Sequence, residues 1–79
     1  MPSSTADAQA AQAADVITRV ARSSPATGRA LAGELHAAAI FDTNDWQRAI
    51  AILTNRVGRN MAVAIVDGLR REGVFGAEA

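Results

Sequence analysis

The chain has 79 residues, no cysteine, a single histidine and a formal net charge of zero. Such a length allows one small domain with a thin margin of stability, and the residue inventory argues against a disulfide framework, a thiolate metal site and a histidine-based zinc site. Zero net charge also argues against a protein held to nucleic acid by excess positive charge alone.

Residues 1 to 14 read as a flexible N-terminal segment, rich in alanine and glutamine, with no bulky side chain between Met1 and Val16 and a Ser4-x-x-Asp7 pattern able to cap a helix start. This opening lacks the basic and apolar regions of a secretory signal. The apolar runs, such as 37–41 and 61–66, are far too short to span a membrane. A soluble, cytoplasmic protein is the expectation, with residues 15 to 76 forming a single small helical domain.

The next element has a clear beginning. Ser24 can accept a hydrogen bond from the first turn, and Pro25 suits the first helical position, where its missing donor costs nothing. Leu31, Leu35 and Ala38 then share a face that Phe41 closes. Gly28 and Gly33 each weaken such a helix by roughly 1 kcal/mol relative to alanine, which implies close packing against a neighbour or a marginal element. His36 lies beside the stripe with no second histidine or nucleophile near it in sequence, and reads as a partly buried packing residue.

The strongest local pattern follows. Asn44 and Gln47 have capping-box spacing, Asp45 suits the positive end of a helix dipole, and Trp46, Ile50, Leu53 and Val57 recur at intervals of four, three and four. That spacing predicts a core-facing stripe with Trp46 as its anchor, the alternative being an indole that stacks a base or a ligand. In the last segment Met61, Ala62, Ile65, Val66 and Leu69 fall on one side of a helix and Arg59, Asn60, Val63, Asp67, Arg70 and Arg71 on the other, with Gly73 as a left-handed cap. Val74-Phe75 is at most a strand stub. Asn55 and Gly58 both favour leaving the helix and Asn60 can cap the next one, yet the apolar spacing can also be traced through Val57 into Met61 as one long helix. The fold class is all-α: three or four short helices with a helix-turn-helix, the wing absent or vestigial.

Read as a helix-turn-helix, the stretch "VGRNMAVAIVDGLRREGVFG" resembles the recognition-helix region of the FtsK/SpoIIIE gamma domain, the winged-helix module with which those DNA translocases read orienting sequences. The shared spacing falls on Gly58, Asn60, Ala62, Ile65, Val66, Leu69, Gly73 and Gly76, with Arg56 two residues before the first glycine. The resemblance implies Asn60 as a base contact and Arg56 as a phosphate or base contact. Where that family carries arginines after the asparagine, Met61 and Ala64 stand here, and its hairpin wing has no counterpart before Ala79.

No Ser-His-Asp or Cys-His set, phosphate-cradling glycine loop or paired-carboxylate helix is present, so an enzyme is not expected and neither a catalytic residue nor a cofactor is assigned. Charge is unevenly spread: residues 1 to 15 hold Asp7 and Asp15 and no arginine, whereas residues 46 to 71 hold Arg48, Arg56, Arg59, Arg70 and Arg71 against Asp67. The leading expectation is a small helix-turn-helix regulator of transcription that reads duplex DNA with the helix after Gly58. Arg59 and Asn60 would face base edges, and Arg56, Arg70 and Arg71 would lie on phosphates. It would act as a homodimer joined around Val16, Ile17, Val20, Leu31 and Leu35. The competing expectation is a protein-interaction or self-assembling helical module, using an apolar edge at Met61, Ala64 and Gly68.

Overall fold

The computed structural model describes residues 5 to 75. Within them the chain is all-α, as expected, with five helices: α1 (Thr5–Ala21), α2 (Pro25–Ala37), α3 (Ile40–Thr43), α4 (Trp46–Val57) and α5 (Arg59–Arg71). The count exceeds the expected three or four because the stripe ending at Phe41 is cut at Ala39, whose φ of 59° ends α2 and sets off the single turn α3. The Ser4 half of the expected first cap, and Gly76, lie outside the described residues.

The division at residue 14 does not correspond to a break. Helix α1 is continuous through it, and Ala13 and Ala14 are core residues. Composition misleads here because alanine buries little surface by itself but lets a neighbouring helix come close. Helix α1 packs against α2 along much of its length and also against α5. At the α1–α2 contact Gly28 is buried, and a Cβ built on it would lie 2.6 Å from the Ala14 carbonyl oxygen. Gly33, on the same helix, is exposed and has nothing within 4 Å of such a Cβ. Gly33→Ala is therefore expected to stabilise the protein by about 0.5–1 kcal/mol, measurable as a raised melting midpoint.

The start of α2 is as expected: the Ser24 side chain accepts from the Thr27 N–H, and Pro25 opens the helix. The start of α4 is displaced by one residue. Asp45, not Asn44, is its N-cap and accepts from the Arg48 N–H at 3.1 Å, while Asn44 has φ 59° and ends α3. Asparagine tolerates that left-handed conformation better than most residues, so the turn uses Asn44 for its backbone and Asp45 for its carboxylate.

The break between α4 and α5 is real and consists of one residue. Asn55 stays in α4, and Gly58, at φ 89° and ψ 160°, both ends α4 and begins α5. Asn60 is therefore inside α5 and not its cap. Helices of 12 and 13 residues are roughly 18 and 20 Å long, so at right angles their far ends would stand roughly 27 Å apart. Instead the Arg70 guanidinium lies 4.3 Å from the centre of the Trp46 ring. The two helices fold back on one another as a hairpin around Gly58.

The core forms where the hairpin, α1, α2 and α3 meet, with Ile17, Leu35, Ile40, Leu53, Ile65 and Leu69 fully buried. On α5 the expected apolar face holds, with Ala62, Ile65, Val66 and Leu69 buried and Met61 at its margin. On α4 the face is turned: Ala49 and Leu53 are buried, while Trp46, Ile50 and Val57 are only partly so. Helix α5 ends in a complete Schellman motif, since the Val74 N–H donates to Leu69 O at 2.9 Å and the Gly73 N–H to Arg70 O at 3.1 Å, with Gly73 at φ 75°. Val74 and Phe75 are not a strand stub. They are buried, Phe75 packs against Phe41 at 6.0 Å between ring centres, and the Gln9 side chain of α1 donates to the Val74 carbonyl.

Candidate nucleic-acid interface

The five residues expected to meet DNA all lie on the α4–α5 hairpin, in two groups. Arg56, Arg59 and Asn60 are exposed at its tip, around Gly58, and Arg70 and Arg71 are exposed at the far end of α5. Eleven residues of helix put Arg70 roughly 16 Å from Arg59 along the axis, so the hairpin carries positive charge at both ends.

Their partners differ. Arg56 Nε donates to Glu34 Oε1 at 2.9 Å, which links the end of α4 to α2. Arg71 pairs with Asp67 one turn earlier at 3.0 Å. Arg70 covers the indole of Trp46. Among the described residues Arg59 and Asn60 have no ion pair or side-chain hydrogen bond, and no side chain caps the first turn of α5 on which they sit. Both ion pairs are exposed, and such pairs contribute about 0–1 kcal/mol, so either arginine can exchange its carboxylate for a phosphate at little cost.

Beside this row lies a feature that the sequence pattern assigned to the core. An open groove of about 580 Å³ runs along α4, bordered by Trp46, Gln47, Ile50, Thr54 and Asn55, with Arg59 at one end. The half-buried indole thus has Arg70 against it and the groove beside it. Spacing alone led to the anchor assignment because it weighed only bulky residues. Ala49, completely buried, occupies the position on α4 that faces the core, and moving the stripe to Ala49 and Leu53 turns Trp46 and Ile50 toward the surface. His36 is partly buried with its ring 6.5 Å from that of Phe41, consistent with a packing role.

Of the expected dimer surface, Val16, Ile17, Leu31 and Leu35 are core residues that cannot join two copies while the domain stays folded, and Val20 is partly buried against the core. Of the edge at Met61, Ala64 and Gly68, only Gly68 faces α1, where a Cβ would meet Val20 Cγ2 at 3.2 Å and Val16 Cγ1 at 3.3 Å; Met61 is partly buried and Ala64 is exposed. Val63, 42% exposed, is the large apolar side chain left open to solvent among the described residues. No cluster of three or more potential metal ligands occurs among the described residues, nor any helix long and apolar enough to cross a membrane. In comparisons with known proteins, no family model, no curated protein and no solved structure matches this chain.

Proposed function

We propose that the α4–α5 hairpin binds DNA and that the protein is a small regulator acting on duplex DNA in the cytoplasm. The observation that carries this reading is the segregation of charge. The hairpin, residues 46 to 71, has five arginines against one aspartate and so four net positive charges; the rest of the chain, with three arginines against seven carboxylates, carries the balancing four negative charges. A net charge of zero thus conceals a basic element. Its exposed arginines supply the phosphate contacts on which sequence-independent affinity rests.

Arg59 and Asn60, exposed and without polar partners among the described residues, are the base-edge candidates. Asparagine pairs in bidentate fashion with adenine. Arg56, Arg70 and Arg71 are the phosphate candidates; the resemblance to the gamma-domain recognition helix names Arg56 and Asn60 on spacing alone, since α4 and α5 fold back as a hairpin and do not cross as a helix-turn-helix does. A homodimer on paired half-sites would need a surface other than the buried residues Val16, Ile17, Leu31 and Leu35. The competing protein-interaction module keeps only part of its apolar edge, since Gly68 packs on α1 while Ala64 stays exposed.

Duplex titrations at two salt concentrations test the reading. The logarithm of the association constant is expected to fall with the logarithm of salt concentration with a slope of about −3, for three to four phosphates neutralised. Arg56→Ala should reduce affinity for all duplexes by about three- to tenfold and make the slope shallower by about one, while Asn60→Ala mainly relaxes preference among sequences. Absence of binding to random or genomic duplex at low salt would overturn the proposal.

A further inference from the structure

We infer that the groove along α4 receives an unpaired base of a nucleic-acid strand, stacked at Trp46, with the strand's phosphate held by Arg59. The inference rests on nucleic-acid binding by the hairpin and narrows what the hairpin binds. Three observations meet at this groove. An indole that the core leaves half-buried borders it. Two amides, Gln47 and Asn55, line it, offering the donors and acceptors that read the edge of a base once pairing no longer occupies it, while the Thr54 hydroxyl beside them donates to the Ile50 carbonyl and can only accept. A cation, Arg59, closes the groove at the tip, and a second, Arg70, lies over the Trp46 ring at the other end of α4 without lining the groove.

An aromatic surface, amides and flanking arginines form the combination that binds single strands, because each base has a π-face and each nucleotide a negative charge. A polyanion also complements the charge of the hairpin, which has only Asp67 against five arginines. Arg59 borders the groove and the exposed start of α5 alike, so one chain can hold duplex at the tip and an unpaired nucleotide beside it. Arg70 acts here as a positioning residue: stacked on the indole, it holds the ring in place.

Trp46 is the chain's single tryptophan and there is no tyrosine, so its emission reports the groove directly. The wild-type protein would be titrated with a single-stranded thymidine 12-mer, a blunt duplex, the same duplex with a single-stranded overhang, and thymidine monophosphate. The expected result is quenching of Trp46 by the single strand and the overhang, both bound about tenfold more tightly than the blunt duplex, with the monophosphate much weaker. By anisotropy of labelled DNA, Trp46→Leu should abolish that advantage and leave blunt-duplex binding in place, Trp46→Phe should retain most of it, and Arg70→Ala should reduce it. Binding of all three DNAs with equal affinity and unchanged emission would overturn the groove assignment while DNA binding by the hairpin stood. Failure of all three to bind would overturn both. Monophosphate binding as tight as that of the 12-mer would overturn the strand assignment in favour of a free nucleotide.

Discussion

Gly28→Ala is expected to be the most damaging glycine substitution among the described residues, lowering stability by about 2 kcal/mol. The added methyl would lie 2.1 Å from Thr18 Oγ1 and 2.6 Å from the Ala14 carbonyl oxygen. The hydroxyl cannot simply rotate away, because it donates to that same carbonyl at 2.7 Å. The carbonyl belongs to the backbone of α1, so relief requires the two helices to separate along a contact that carries much of the core. Overpacking of this kind costs about 1–3 kcal/mol, and a rigid backbone neighbour puts it near the top of that range; the gain in helix propensity returns up to about 1 kcal/mol. For a domain of this size the melting midpoint should fall by roughly 8–16 °C. A thermal melt of Gly28→Ala beside Gly33→Ala isolates the effect, since the two changes lie on one helix and should move the midpoint in opposite directions. Equal shifts of the same sign would refute the close approach of α1 and α2.

Gly58→Ala is expected to cost about 1–2 kcal/mol for an unrelated reason. At φ 89° and ψ 160° the residue occupies a region essentially reserved for glycine, where other L-residues are strained by about 1–3 kcal/mol; alanine returns about 0.4–1 kcal/mol by restricting the unfolded chain. Nothing lies within 4 Å of the added methyl, so the penalty is purely conformational. D-alanine at the same position, introduced by chemical synthesis, should restore or raise the midpoint. The chain can also relieve the strain by running α4 and α5 together as one helix. In that case helicity would persist while the Arg70–Trp46 contact is lost, and Trp46 emission would shift to the red. A raised midpoint for the L-alanine variant would contradict the hairpin and, with it, the placement of Arg59 and Asn60 at an exposed tip.

The helical class, the capped start of α2 at Ser24 and Pro25, the buried face of α5 from Ala62 to Leu69, and the left-handed end at Gly73 are all legible in the amino-acid sequence. Each is written in neighbours a few residues apart: a hydroxyl three positions from the N–H it accepts from, apolar side chains at helical spacing, a glycine where a Cβ would be strained. The sequence also held both readings of residues 55 to 60 open, since local preference at Gly58 and the apolar spacing across it pointed different ways. Whatever depends on which surfaces meet emerged with the packing of the folded chain. It set the depth to which Ala13, Ala14 and Ala49 are buried, which no scale of side-chain hydrophobicity reveals, because a small residue is buried where helices approach closely and not where it repels water most. It separated Gly28, pressed against α1, from Gly33, open to solvent. By turning α4 on Ala49 and Leu53, it moved Trp46 from the core to the edge of a groove that ends at Arg59, with Arg70, 24 residues further along the chain, against its ring.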